Sequence, residues 1–227
     1  MPDYQLLIFD WDGTLVDSIG RIVESMRHAA QGCQLPARSD AQIKGIIGLG
    51  LPEAIASLYP AFVDAEQQAL FRRHYTEHYL ALEQQPSRLF PGVAEALRAF
   101  RQQGFQLAVA TGKSRAGLDR VLQGRGWQEY FDITRCADET ASKPAPLMIE
   151  EILAHCGVAP VRALMVGDST FDLEMANNAG VDAVGVSYGA QSVEMLRRCS
   201  PRMVVEQFSE LQDWLERRTC RQSAEVN

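Results

Sequence analysis

The chain has 227 residues, of which 46% are hydrophobic and 22% charged, and this length fits one domain plus an insertion better than two domains. A net charge of −7, without a cluster of Lys and Arg, argues against a nucleic-acid partner. No apolar run approaches the roughly 20 residues of a membrane helix and the N-terminus lacks a signal-peptide pattern, so we expect a cytoplasmic protein without a membrane partner.

Short apolar runs recur along the chain and predict the strands of a sheet. In chain order they are 5–9, 105–110, 163–166 and 182–186, with a weaker run at 202–205 and a further candidate at 132–134. Helical patterns separate the later runs, at 91–104, 114–126, 146–157 and 170–179. Strands that alternate with helices are typical of a doubly wound α/β fold with a mainly parallel, Rossmann-like sheet.

A gap of more than ninety residues separates the first predicted strand from the second, and its sequence has helical patterns. We therefore predict an α-helical cap domain at 18–84, inserted into a catalytic core formed by 1–17 and 85–227. Within the cap, a segment rich in glycine at 45–55 is suited to closing over a substrate, although a helix end followed by a new helix explains it equally well. We expect a loose tail from Thr219.

Polar residues follow the predicted strands at the edge where open parallel sheets bind their ligands. They are Asp10 and Asp12 after the first strand, Thr111, Gly112 and Lys113 after the second, and Asp168 after the third, with Lys143 in a loop before a helix. The sequence therefore predicts that these groups form one site.

The acidic half of this predicted site requires a cation. At a separation of about 4 Å and an effective dielectric constant near 20, each pair of carboxylates costs about 4 kcal/mol. Mg2+ is usually bound by oxygen ligands of the protein together with the phosphate of a substrate. The hydroxyl of Thr111, the backbone N–H groups of Gly112 and Lys113, and the Lys143 ammonium are donors suited to a phosphate. The two halves together predict a phosphoryl-transfer centre.

Four motifs resemble, in order and spacing, those of the haloacid dehalogenase-like hydrolase superfamily. They are "DWDGT" (10–14), Thr111 at a strand end, Lys143 in "KPAP", and "GDSTFD" (167–172). The helical insertion just after the first motif resembles the cap of the phosphoglycolate phosphatase-like branch.

The resemblance implies a role for each matching residue. Asp10 is the expected nucleophile, which forms an aspartyl phosphate. Asp12 is the expected acid and base, which protonates the leaving group and then activates water. Thr111 and Lys143 are expected to hold the phosphoryl group, and Lys143 also to offset charge around Asp10.

The same resemblance implies the ligands of the metal. Mg2+ is expected on the carboxylates of Asp10 and Asp168 and on the backbone carbonyl of Asp12. Asp172 is expected to orient Lys143 or metal-bound water; its place near the start of a helix leaves a role towards the helix dipole as the alternative.

One position departs from the pattern that this superfamily follows. Many relatives carry Asn or Ser directly after the motif Thr and use its side chain to donate to the phosphate, whereas this chain has Gly112. Only a backbone N–H remains there, and we expect Lys113 to compensate in part by reaching the substrate.

The predicted function is Mg2+-dependent hydrolysis of a small phosphorylated metabolite, with phosphoglycolate as the leading candidate. A β-phosphoglucomutase-like phosphosugar mutase uses the same four motifs and remains an alternative. A phosphorylatable signalling module without turnover is an alternative of another class. The sequence leaves a monomer and a homodimer equally open.

Overall fold

A six-stranded parallel sheet forms the centre of the protein, for which the computed structural model describes residues 4–225, with only the backbone given for 219–225. The strands are β1 (Leu6–Phe9), β2 (Gln106–Thr111), β3 (Ile133–Cys136), β4 (Ala163–Gly167), β5 (Asp182–Val186) and β6 (Met203–Val205). Their spatial order is β3-β2-β1-β4-β5-β6, with every neighbouring pair parallel. The predicted doubly wound α/β fold is confirmed, and β3 begins one residue later and ends two residues later than its predicted run.

Ten helices accompany these strands within the described residues. They are α1 (Ile19–Gly32), α2 (Asp40–Lys44), α3 (Leu51–Leu58), α4 (Ala65–Leu82), α5 (Val93–Gln102), α6 (Arg115–Arg125), α7 (Leu147–Cys156), α8 (Thr170–Asn178), α9 (Val193–Arg197) and α10 (Phe208–Glu225). A short 3-10 helix at Pro160–Arg162 precedes β4. None of the helices within 4–225 has the length and apolar character needed to cross a membrane.

The segment from Thr219, predicted to be a loose tail, is helical as far as Glu225, where α10 ends, and the last two positions of that prediction lie outside the described residues. This helix is anchored by Phe208, Leu211 and Leu215, which recur at helical spacing and are almost completely buried. An apolar stripe of this kind holds the first half of α10 against the core beside the sheet.

Strand β1 is apolar at every position because both faces of the sheet are covered. Leu7 and Phe9 point into a core shared with α5 and α10, and Leu6 and Ile8 point into a second core shared with α7 and α8. Successive side chains of a strand alternate between its faces, so a central parallel strand needs an unbroken apolar run. The buried strand carries the next residue, Asp10, to the edge of the sheet.

Helices α1 to α4 build a separate hydrophobic cluster, whose buried members all lie between 19 and 79. The chain leaves the sheet at Val16 and returns at Leu89, where these two residues form an antiparallel bridge. The division into a cap at 18–84 and a core at 1–17 and 85–227 stays a prediction, which the separate cluster supports.

Candidate active site

Asp10 lies directly after β1 and is 2% exposed. Its backbone N–H donates to the carbonyl of Val166 at 2.9 Å, which continues the pairing of β1 with β4 and fixes the start of the side chain. Carboxylate oxygen Oδ1 accepts from the ammonium of Lys143 at 2.6 Å. The other oxygen, Oδ2, is buried and has no hydrogen-bond partner among the described residues. A buried carboxylate oxygen without a partner is costly unless a ligand completes it.

Lys143 is buried in the site, with 1% of its surface exposed, although it lies in a loop. Its Nζ lies 2.6 Å from Asp10 Oδ1 and 2.6 Å from Asp172 Oδ1. Burial alone would lower the pKa of Lys143, but the two carboxylates outweigh it and raise the pKa above its ordinary value. Lys143 is therefore a fixed positive charge beside Asp10.

Asp172 fits both roles that the sequence left open, because it contacts Lys143 and also lies at the start of α8. Its Oδ1 accepts from Lys143, and its Oδ2 accepts from the backbone N–H of Ser169 at 3.1 Å and the hydroxyl of Ser169 at 2.7 Å. Ser169 in turn caps α8 by accepting from the backbone N–H of Asp172. This capping box begins the helix and at the same time aims Asp172 at Lys143.

Asp168 follows the last residue of β4 and is held at both carboxylate oxygens. Oδ1 accepts from the Thr14 hydroxyl at 3.0 Å, and Oδ2 accepts from the backbone N–H of Ala190 at 2.6 Å. Gly13 and Gly189 lie against the Asp168 carboxylate, and a Cβ at either position would collide with it. Gly13 also has a φ of +86°, which favours glycine.

Asp10, Asp168 and Asp172 each place a carboxylate oxygen within 4.8 Å of the other two. Burial raises the pKa of Asp10 well above its ordinary range, and Asp172 and Asp168 add to this rise while Lys143 opposes it. Burial, followed by the charge of Asp172, raises the pKa of Asp168 to about 7. One ammonium is too little charge for three buried carboxylates, so this set of oxygen donors fits a hard divalent cation such as Mg2+.

Asp12 has partners different from those of Asp10, although only Trp11 separates them. Its Oδ1 accepts from the Ser18 hydroxyl at 2.6 Å and from Lys113 Nζ at 3.1 Å. These contacts concern its side chain only, so the expected metal contact of its backbone carbonyl stays a prediction.

Thr111 ends β2 and is 1% exposed. It does not cap the following helix, because Ser114 does so by accepting from the backbone N–H of Gly117. The Thr111 hydroxyl instead accepts from the backbone N–H of Lys113 at 3.2 Å. The side chain of Lys113 reaches Asp12 and the hydroxyl of Tyr79, and these two groups raise its pKa although burial opposes them.

A cavity of about 200 Å3 lies against these residues. Its floor contains Asp10, Asp12, Thr111, Gly112 and Lys113. The side chains that line it from the inserted helices and the loop between them are mainly apolar or tyrosine and include Ile22, Met26, Ile46, Ile47, Leu49, Leu51, Tyr75, Tyr79 and Leu80. The cavity is large enough for a small organic phosphate, and its floor and roof come from different parts of the chain.

The roof includes a loop at 45–50 that lies directly on the floor. The backbone N–H of Gly50 donates to the hydroxyl of Ser142 at 2.8 Å. A Cβ added to Gly112 would collide with the carbonyl oxygen of Leu49 and lie 2.7 Å from that of Gly48. The glycine that departs from the pattern of relatives is therefore the residue on which this loop rests.

Among the residues that contact the site, Thr14, Ala190, Ser18 and Tyr79 form hydrogen bonds with predicted site side chains but were not themselves predicted from the sequence. Thr14 lies inside the first motif, and Ala190 lies a few residues beyond β5, so inspecting every strand end would have found both. Ser18 and Tyr79 belong to the inserted segment. No local signal marks them, because their contacts exist only once the inserted helices have docked on the sheet.

Comparison with known proteins adds independent information. The sequence profile of the family described as "Haloacid dehalogenase-like hydrolase" matches residues 7–186. A curated protein of Dickeya dadantii named "Probable phosphatase IndB" is 36% identical over 209 residues, covering 91% of each chain. A phosphoglycolate phosphatase of Vibrio vulnificus is 30% identical, covering 93% of this chain and 96% of its own. The crystal structure of a predicted phosphoglycolate phosphatase from Haemophilus somnus is 27% identical and superimposes with a TM-score of 0.81, covering 94% of this chain and 98% of its own.

Proposed function

The chain belongs to the haloacid dehalogenase-like hydrolase family and is a phosphatase related to phosphoglycolate phosphatases, and from this premise we propose that it hydrolyses a small phosphomonoester with Mg2+ through an aspartyl-phosphate intermediate. The observation that carries the proposal is the state of Asp10. One of its oxygens is held by Lys143, and the other is buried without a partner in a residue that lines the cavity.

In the first step, Asp10 Oδ2 attacks the phosphorus of the ester. A bond forms between this oxygen and phosphorus, and the bond from phosphorus to the leaving oxygen breaks. Thr111 and the backbone N–H of Gly112 are the proposed donors to the phosphoryl oxygens. Lys143 orients Asp10 and favours its ionised form, because its ammonium is 2.6 Å from Oδ1.

Asp12 is the proposed acid and base of the reaction. It gives its proton to the leaving oxygen in the first step and takes a proton from water in the second, when water attacks the phosphorus of the aspartyl phosphate and restores Asp10. The different partners of the two side chains support this division of roles: Asp10 is paired with Lys143, and Asp12 with Ser18 and Lys113.

The residues proposed to hold Mg2+ are Asp10 and Asp168 through their carboxylates and Asp12 through its backbone carbonyl. Asp172 would act indirectly, through Lys143 or a metal-bound water. When bound, the ion supplies positive charge to the buried carboxylates and to the phosphate oxygens. Thr14 and Ala190 keep Asp168 in place for that role, since they donate to both of its oxygens.

Phosphoglycolate is the first candidate substrate, because curated relatives that match most of this chain are named phosphoglycolate phosphatase. The cap proposed at 18–84 would cover the site, exclude bulk water and select a compact metabolite. We propose a cytoplasmic enzyme whose partner is a small phosphorylated metabolite and not a nucleic acid or a membrane.

The experiment compares wild-type protein with Asp10→Asn on p-nitrophenyl phosphate and phosphoglycolate, with Mg2+ and with EDTA. We expect the wild type to release phosphate only with Mg2+ and Asp10→Asn to release almost none. Asp17→Asn is the matched control, because Asp17 is an exposed neighbour outside the site. Near wild-type turnover by Asp10→Asn, or a rate that EDTA leaves unchanged, contradicts the proposal. Return of the phosphoryl group to a sugar phosphate would identify a mutase, and phosphorylation without turnover a signalling module.

A further inference from the structure

Tyr79 lies on α4, in the inserted segment, and contacts a residue of the catalytic floor. Its hydroxyl accepts from Lys113 Nζ at 3.1 Å, and its ring centroid lies 4.7 Å from the same nitrogen. Tyr79 is 7% exposed, so this contact is shielded from solvent. The contact joins an inserted helix to the loop that follows β2.

Lys113 also contacts Asp12, and so connects Tyr79 to it. Its Nζ donates to Asp12 Oδ1 at 3.1 Å, in a pair whose side chains are only 10% and 12% exposed. Ser18 donates to the same oxygen at 2.6 Å, and it too lies at the start of the inserted segment. Both side-chain donors that the described residues offer to Asp12 therefore hold Oδ1 and neither holds Oδ2.

From this chain of contacts we propose that Tyr79 is a positioning residue for the acid and base Asp12, acting through Lys113. The inference rests on the proposed function, in which Asp12 protonates the leaving group. The Tyr79 hydroxyl fixes the Lys113 ammonium, and the ammonium fixes the rotation of the Asp12 carboxylate. Because Tyr79 is on α4, this arrangement forms only while the inserted helices are seated on the sheet, which links closure of the site to its acid chemistry.

The proposal has a consequence that depends on the leaving group. When an alkyl ester reacts, the bond from Asp10 to phosphorus forms, the ester P–O bond breaks, and the alcohol oxygen takes a proton from Asp12. A p-nitrophenolate ion is stable without that proton, so its departure does not depend on the orientation of Asp12. Disturbing Tyr79 should therefore slow alkyl esters selectively.

The test is Tyr79→Phe, which keeps the ring beside Lys113 and removes only the hydroxyl. The alkyl substrate is whichever of phosphoglycolate, glycerol 3-phosphate and ethanolamine phosphate the wild type cleaves fastest. We expect kcat/KM for this ester, which reports only the steps up to departure of the leaving group, to fall about tenfold, part of the roughly 100- to 10,000-fold that general acid catalysis contributes. We expect kcat/KM for p-nitrophenyl phosphate to change less than about twofold, because the later step in which Asp12 activates water does not enter kcat/KM. Lys113→Met should show the same selectivity with a larger loss, because it removes the link itself.

Tyr59→Phe is the matched control. It removes another hydroxyl from the inserted helical region, one that donates to the carbonyl of Pro36 at 3.1 Å and lies outside the cavity. We expect wild-type rates on both substrates. Equal losses on both substrates in Tyr79→Phe, or no loss on either, overturn the role of Tyr79. A wild-type protein that cleaves none of these esters with Mg2+ contradicts the proposed function instead, so the two failures are distinguishable.

Discussion

Replacing Gly112 by Ser puts the side chain used by many relatives at a position where this chain has no room for it. In those relatives the residue donates to the substrate phosphate, so the change looks beneficial from sequence alone. In this structure the added Cβ would lie 2.7 Å from the carbonyl oxygen of Gly48 and closer still to that of Leu49. We therefore predict that Gly112→Ser impairs the enzyme, because it lifts the loop at 45–50 from the floor of the cavity.

The size of the effect follows from these distances. Ordinary van der Waals contact begins at 3.4 Å, so the Gly48 oxygen must retreat by about 0.7 Å, the difference between the two distances. Both obstructing atoms belong to backbone, which cannot rotate away as a flexible side chain can. Overpacking of this kind costs about 1–3 kcal/mol, which corresponds to a shift of about 5- to 150-fold against the closed loop.

The assay is kcat/KM with the best substrate of the wild type, together with proteolysis of the loop and thermal unfolding. We expect kcat/KM to fall within that range and cleavage in the loop to increase, with little change in melting temperature because the loop opens without unfolding the core. Gly124→Ser is the control, since a Cβ at Gly124 in α6 meets nothing within 4 Å. Wild-type kcat/KM and unchanged proteolysis in Gly112→Ser would refute the reasoning.

Two further predictions concern the charges around Asp10. Lys143→Met leaves the carboxylates of Asp10 and Asp172 without their shared cation. We expect it to lower the free energy of unfolding by about 3–5 kcal/mol and the melting temperature by roughly 6–20 °C. Lys44→Met, at an exposed lysine, is the control and should leave both quantities unchanged. Burial and Asp172 raise the pKa of Asp168 from 3.8 to about 7. Between these two pH values the folded metal-free protein keeps a proton that the unfolded chain has released. The free energy of unfolding should therefore fall as pH rises from about 4 to about 7. Mg2+ takes the place of that proton and should raise the melting temperature more at pH 8 than at pH 5.5; equal shifts at both would contradict this assignment.

The sheet and half of the site are predictable from the sequence for a simple reason. A parallel strand buried on both faces requires an unbroken apolar run, and the residue after that run must lie at the ligand-binding edge. This reasoning found Asp10, Thr111 and Asp168 after their strands. Lys143 was predicted from its loop before a helix and its role came from the resemblance to a family, but its burial between two carboxylates was not evident from that loop.

The contacts between inserted helices and floor could not be predicted in this way. Tyr79 lies within a helical pattern that gives no local sign of a site, and its hydroxyl contacts Lys113 only when α4 is docked. Gly112 was recognised as a departure from relatives, but the reason for the glycine is a backbone carbonyl that lies more than sixty residues away in sequence. Such contacts depend on the relative placement of two hydrophobic clusters, which no local pattern encodes.

The central claim is that Asp10 carries the phosphoryl group during turnover. The most direct measurement mixes the protein with a cleaved phosphomonoester and Mg2+, stops the reaction in acid within the first turnover, and examines the peptides by mass spectrometry. We predict that the peptide containing Asp10 gains the mass of one phosphoryl group, and that EDTA or Asp10→Asn abolishes the gain. Turnover without any phosphorylated peptide, or with the phosphoryl group on another residue, would contradict the account.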